Sequence, residues 1–83
     1  MTEIRCQARW KEELVATGSA GRLVFEFMMG IPHVYFPTET RWSTQVPAWA
    51  LGRWQEYRTA VESWCAAERV PFSLDDNAHV SAS

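Results

Sequence analysis

Residues 22–29 read RLVFEFMM, and this stretch decides the fold. Every position on one side of an extended chain is apolar here: Leu23, Phe25, Phe27 and Met29. Two of the three positions between them, Val24 and Met28, are apolar as well. A strand whose two faces are both largely apolar is typical of the middle of a sheet. The stretch therefore predicts a central strand.

The flanking segments predict further strands. After residues 22–29, Gly30-Ile31-Pro32 forms a tight reversal, and residues 33–36 make a short strand ended by Pro37, so the two strands form an antiparallel hairpin. Residues 4–10 alternate between apolar and polar side chains, which predicts a half-buried strand. Residues 11–17 fit either a helical turn or a second short strand, and the local pattern leaves both open.

From about residue 44 to residue 69 the apolar period becomes helical. The recurring positions are Ala50, Leu51, Trp54, Tyr57, Val61, Trp64, Cys65 and Glu68. Ser43 or Thr44 can cap this helix, Pro47 is tolerated in the first turn, and Pro71 prevents its continuation. Before it, residues 38–43 read as a polar loop. After it, residues 70–74 alternate and could add a final strand, and the chain from about residue 75 to residue 83 is predicted to be a flexible tail.

These elements predict one α+β domain spanning residues 1–83, with a small, mainly antiparallel sheet of three to four strands packed on one long C-terminal helix. One helix covers one face of a sheet. Val24, Met28 and Tyr35 on the other face would then lack intramolecular cover, and an open apolar face is a place where another chain docks. We therefore expect a protein partner or a homodimer.

Composition narrows the classes of partner. The chain has 83 residues and a formal net charge of −2, so it has no overall positive field to attract phosphates, and we expect neither nucleic acid nor a membrane as partner. The first residues lack a signal-peptide pattern, and no apolar run approaches the length of a membrane span, which favours a cytoplasmic protein. Cys6 and Cys65 are interpreted as reduced core thiols, with a disulfide between them as the alternative.

Few residues combine into a recognisable catalytic or metal-binding pattern. His33, Tyr35 and Glu39 are the nearest approach to an acid–base cluster, and no nucleophile with an adjacent base is visible. The soft metal ligands are too dispersed for a zinc motif: Cys6, His33, Cys65 and His79. The sequence therefore predicts no metal site and no cofactor.

Aromatic side chains offer a different kind of site. Arg41 and Trp42 fall in the predicted loop, where they are either part of a binding surface or a plug that closes the core. Trp49 lies off the main helical stripe. With Tyr35, Phe36 and Trp42 it could line an aromatic groove beside His33, or the same rings could simply complete the core.

The sequence thus favours a non-enzymatic intracellular domain that binds a partner protein, or itself, through an aromatic and apolar patch. The candidate binding residues are His33, Tyr35, Phe36, Arg41, Trp42 and Trp49. An inhibitor-like or immunity-like role fits by analogy. The alternative is a small ligand-binding module or small enzyme that uses a groove around His33, Tyr35, Trp42 and Trp49.

Overall fold

The computed structural model describes residues 4–9, 12–28 and 30–82. They form a mixed fold of strands and helices in the order β1 (Arg5–Arg9), β2 (Glu13–Gly18), β3 (Gly21–Met28), β4 (His33–Pro37), α1 (Glu39–Gln45), a 3₁₀ helix (Ala48–Arg53), α2 (Trp54–Glu68), β5 (Phe72–Asp75) and β6 (Val80–Ala82). Trp10, Lys11 and Met29, which the sequence assigned to strands or to the open segment, lie outside the described residues.

The strands form one sheet of six rather than three or four. Its order is β1-β2-β3-β4-β5, and β6 pairs with β3. Strand β3 is central, as its two apolar faces predicted. Residues 23–25 of β3 pair with β2 on one edge and with β6 on the other, while residues 26–28 pair with β4. Strand β5 therefore lies beside β4, and β6 lies on the same edge of β3 as β4 does.

Strand β5 is parallel to β4, an arrangement that the prediction of a mainly antiparallel sheet did not include. A parallel pair needs a long crossover connection between its strands. Here α1, the 3₁₀ helix and α2 all lie between β4 and β5 and provide that crossover.

The open segment before Gly18 is resolved as strand β2, which pairs with both β1 and β3. Leu14, Val15 and Ala16 are all buried. A continuous apolar run of this kind fits a buried strand as well as a helical turn, which is why the sequence did not decide between them.

The single helix predicted for residues 44–69 is wrong in its first half. Thr38 caps α1 by accepting a hydrogen bond from the Arg41 N–H (3.3 Å), so helix begins at Glu39, inside the predicted loop. Val46 then adopts an extended conformation (φ −93°, ψ 154°). A residue that precedes proline is disfavoured in the helical region, and Pro47 therefore separates α1 from the 3₁₀ helix.

The predicted flexible tail is also corrected. Residues 80–82 form β6 along the central strand, and both Ala78 and Val80 are buried. The Arg41 Nε donates a hydrogen bond to the Ala78 carbonyl (3.2 Å). The Thr38 hydroxyl donates to the Asp76 carboxylate (2.7 Å). This segment is thereby tied to the start of α1 as well as to the sheet.

The buried core lies between the helices and one face of the sheet. The strand residues of the core all lie on this face of the sheet, and they are Leu14, Ala16, Leu23, Phe25, Phe27, Val34, Phe36 and Val80. The helices contribute Trp42, Ala50, Tyr57, Val61 and Cys65. The strand residues between these core positions point to the other side of the sheet, away from every described helix. We call the surface on that side of the sheet the open face.

Candidate functional site

The predicted aromatic groove is not formed, because its residues lie on opposite sides of the sheet. Along β4, Val34 and Phe36 are buried against the helices, whereas His33 and Tyr35 are half-buried on the open face. Adjacent residues of a strand point to opposite faces, so Phe36 and Tyr35 cannot line the same groove.

Trp42 belongs to the core and is not exposed in a loop. It lies on α1 with none of its surface accessible. Its ring stacks with Phe36 (centroids 5.7 Å apart) and Phe25 (6.2 Å), and its indole N–H donates to the Ala50 carbonyl (2.9 Å). Of the two interpretations that the sequence left open, the core plug is the one observed.

Arg41 and Trp49 also have structural contacts on the helical side. Arg41 holds the Ala78 carbonyl, as described above. Trp49 is half-buried on the 3₁₀ helix, 6.4 Å from the Tyr57 ring and against Gly21. Neither residue reaches the open face, and His33 and Tyr35 are the two predicted binding residues that lie there.

The open face combines an apolar centre with charged ends. A row in register crosses its middle through Gln7, Val15, Val24 and Ser81. Val15 is only 6% exposed, although no described helix covers it. Arg5, Thr17 and Arg22 form the row at one end of the strands, and Arg9, Glu13, Glu26 and Tyr35 form the row on the other side of the centre.

His33, Tyr35 and Ser73 form a polar and aromatic cluster on this face. The His33 and Tyr35 rings are stacked with centroids 4.3 Å apart. The His33 Nε2 and the Ser73 Oγ are 2.7 Å apart, within hydrogen-bond distance. The sequence missed Ser73, since it is 40 residues from His33 and the parallel β4–β5 pairing alone brings the two together.

A histidine hydrogen-bonded to a serine is also one component of a site for nucleophilic catalysis, in which the histidine activates the serine hydroxyl. Such a site needs a further group that orients the second imidazole nitrogen. Among the described residues, no carboxylate is hydrogen-bonded to His33; Glu39 of the predicted acid–base cluster is exposed at the start of α1. The pair therefore has the geometry of a cross-strand hydrogen bond that fixes the position of the imidazole against Tyr35.

Negative charge is concentrated on one side of Val24. Glu13 and Glu26 are directly opposite each other on β2 and β3, an arrangement of like charges that is unfavourable without counter-charges. Arg9 pairs with Glu13 (3.0 Å), and Glu26 accepts a hydrogen bond from the His79 N–H (2.9 Å). These carboxylates border a concavity of about 270 Å³ lined by Glu12, Glu13, Val24, Phe25, Glu26, His79 and Ser81.

Comparison with known protein families, with curated proteins and with solved structures finds no match. Within the described residues, no three histidine, cysteine or carboxylate side chains are grouped as metal ligands would be. None of the described helices has the length and hydrophobicity that crossing a bilayer requires.

The two cysteines lie on the helical side, away from the open face. Both are free thiols; Cys6 is half-buried on β1 and Cys65 is buried on α2. Burial raises the pKa of Cys6 from 9.0 to about 11. Burial, with smaller contributions from Cys6 and Glu62, raises the pKa of Cys65 to about 11 as well. Neutral thiols are poor nucleophiles, so this pair is suited to packing rather than to covalent chemistry.

These pKa values predict a loss of stability at alkaline pH. Above pH 9 the unfolded chain has lost thiol protons that the folded chain still holds, so the free energy of unfolding should fall as the pH rises from about 9 towards 11. Urea unfolding at pH 7, 9 and 10 measures this fall. The Cys6→Ala/Cys65→Ala double variant is the control and should lose less stability over the same range. The loss that this variant still shows includes a contribution from Tyr57, because burial also raises the pKa of its hydroxyl. Equal losses in the two proteins would contradict the prediction.

Proposed function

We propose that this chain is a protein-interaction domain whose binding surface is the open face of the sheet. The observation that supports the proposal most strongly is that the helices of the described residues all pack on one side of the sheet. The opposite side carries Val24 and the stacked pair of His33 and Tyr35, together with Met28, which is 45% exposed. Apolar and aromatic groups surrounded by charged ones are the usual composition of an interface.

The cluster around Tyr35 is suited to act as an anchor for a partner. Its ring is held by the His33 stack, and His33 is in turn held by Ser73. A side chain fixed in this way loses little conformational entropy on binding, which is one reason that tyrosine is frequent among residues that dominate binding energy. Val24, in the adjacent row, would supply the apolar contact.

The test is quantitative copurification with single substitutions on the open face. The wild-type chain, Val24→Lys and Tyr35→Ala are expressed with the same tag, cross-linked in cells, and the bound proteins are measured by mass spectrometry. Recovery of the wild-type partner should fall at least about tenfold in both variants, since truncation of an anchor typically costs more than about 1.4 kcal/mol. Circular dichroism checks that both variants remain folded.

Glu68→Arg provides the matched control, because Glu68 is exposed at the end of α2 on the helical side. This variant should recover the same partner in the same amount as the wild-type chain. A bound protein whose recovery is unaffected by both open-face substitutions would contradict the proposal.

A further inference from the structure

We infer that the partner on the open face is a second copy of this chain, bound in a symmetric dimer whose two-fold axis crosses β3 at Val24. The inference rests on the proposed function, because it uses the same face. Its basis is the order of side chains on this face, which is complementary to itself under that two-fold rotation.

Strand β3 carries the complementarity. Arg22, Val24 and Glu26 occupy successive positions on the open face, with Val24 midway between opposite charges. In the dimer the open faces of two sheets face each other, and the two-fold axis lies between them, perpendicular to the strands at Val24. Rotation about this axis reverses the order of the three residues in the second copy. Arg22 of each copy then faces Glu26 of the other, and the two Val24 side chains meet at the centre. Such reciprocal contacts define an isologous interface.

The neighbouring strands fit the same axis. Val15 is in register with Val24, so the two Val15 side chains also lie near the axis, and Thr17 of one copy faces Glu13 of the other. On β1 the rotation brings Arg5 near Arg9 of the second copy, where the ion pair of Arg9 with Glu13 reduces the repulsion. The two valines thus form the apolar middle of the central row, with the polar Gln7 and Ser81 at its ends and charged rows on both sides.

Arg22 of one copy is suited to enter the acidic concavity of the other. It is exposed, and among the described residues it takes part in no ion pair or side-chain hydrogen bond. The concavity combines the apolar Val24 with carboxylates of Glu12, Glu13 and Glu26. An arginine places an apolar stem against such a floor and its guanidinium against the carboxylates. Packed sheets lie about 10 Å apart, a gap that an arginine and a glutamate span together.

The area of the open face limits the contacts that this dimer can make. Strands are spaced about 4.8 Å apart and residues on one face about 6.8 Å apart along a strand, so the positions of the three rows cover on the order of 360 Å² per copy. The total of about 700 Å² is smaller than that of a stable specific interface and is typical of a weak, transient one. We therefore expect a reversible dimer that weakens with salt. Pairing of two β1 edges is the less favourable alternative, because it would bring Arg5 and Arg9 together without the compensating contacts between Arg22 and Glu26.

Charge reversal tests the inference. Sedimentation equilibrium over a concentration series gives the dimer dissociation constant of the wild-type chain, Arg22→Glu, Glu26→Arg and the double variant. Each single variant should raise this constant at least about 30-fold, because the opposed like charges occur twice in the dimer. The double variant restores opposite charges and should return to within about threefold of wild type. Glu68→Arg should change nothing, and Glu26→Gln, which keeps an acceptor for the His79 N–H, should weaken the dimer while remaining folded.

The possible outcomes separate this inference from the proposed function. A wild-type chain that stays monomeric up to about 1 mM, or a double variant no tighter than the single ones, overturns the dimer. If Val24→Lys and Tyr35→Ala nevertheless lose a copurified protein, the open face is still a binding surface, but for a different partner. If neither the dimer nor the recovery of any copurified protein is affected by the open-face substitutions, both proposals are overturned.

Discussion

Trp42→Ala is expected to lower the free energy of unfolding by about 3–5 kcal/mol, the usual range for removal of a buried tryptophan side chain. The ring is wholly inaccessible and packs between Phe25, Phe36 and Tyr57. A domain of this size has a total stability on the order of 4–12 kcal/mol, so the substitution removes a large part of it. Urea denaturation followed by circular dichroism measures the change.

Trp42→Phe separates the contribution of the ring from that of its hydrogen bond. This variant retains an aromatic side chain but cannot donate to the Ala50 carbonyl, and we expect a smaller loss of about 1–3 kcal/mol. It also keeps the measurement possible if Trp42→Ala does not fold. A Trp42→Ala protein with wild-type stability would mean that the residue is exposed, as in the alternative that placed it in a binding surface.

Gly21→Ala should destabilise the fold by about 2–4 kcal/mol, the sum expected from overpacking and from an unfavourable backbone conformation. A Cβ at this position would lie 2.6 Å from the Trp49 Cζ2 and 2.9 Å from its Cη2. The Gly21 φ of 156° is also one that L-residues rarely adopt. The urea midpoint at an unchanged m value measures the loss.

Two further variants locate the cause of this loss. Gly52→Ala introduces the same methyl group where no atom lies within 4 Å, and it should change stability by less than about 1 kcal/mol. Adding Trp49→Leu to Gly21→Ala removes the clashing ring atoms, so the double variant should be more stable than the sum of the single effects predicts. Strict additivity would show that the ring is not the obstacle.

The strands that the sequence identified are those whose burial follows from local alternation. In β1, β4 and β5 the apolar positions alternate along the strand, and in β3 one face is apolar at every position; each was predicted within about two residues. Strand β2 was left open because its buried run has no period. Strand β6 was missed because Val80 is its single buried residue, and its place is decided by pairing with β3, more than 50 residues earlier.

The candidate site, like the strands, could be predicted from the sequence only where its contacts are local. Tyr35 and His33 were placed together correctly, since they share one face of a short strand. Phe36 and Trp42 were left open between a groove and the core, and their rings do lie together, with centroids 5.7 Å apart. Both rings lie in the core. Phe36 is on the buried face of β4, and Thr38 caps α1, the helix that carries Trp42.

The position of β6 on the central strand has a consequence for synthesis. Ribosomes make β3 long before residues 80–82, so the edge of β3 at residues 23–25 stays unpaired while the helices and β5 are being made. The core residues Leu23 and Phe25 lie beside that edge. A nascent chain at this stage resembles a sheet with an exposed edge strand, the kind of intermediate that pairs with the wrong chain. Completion of this fold therefore waits until residues 80–82 have been made and can reach the edge of β3.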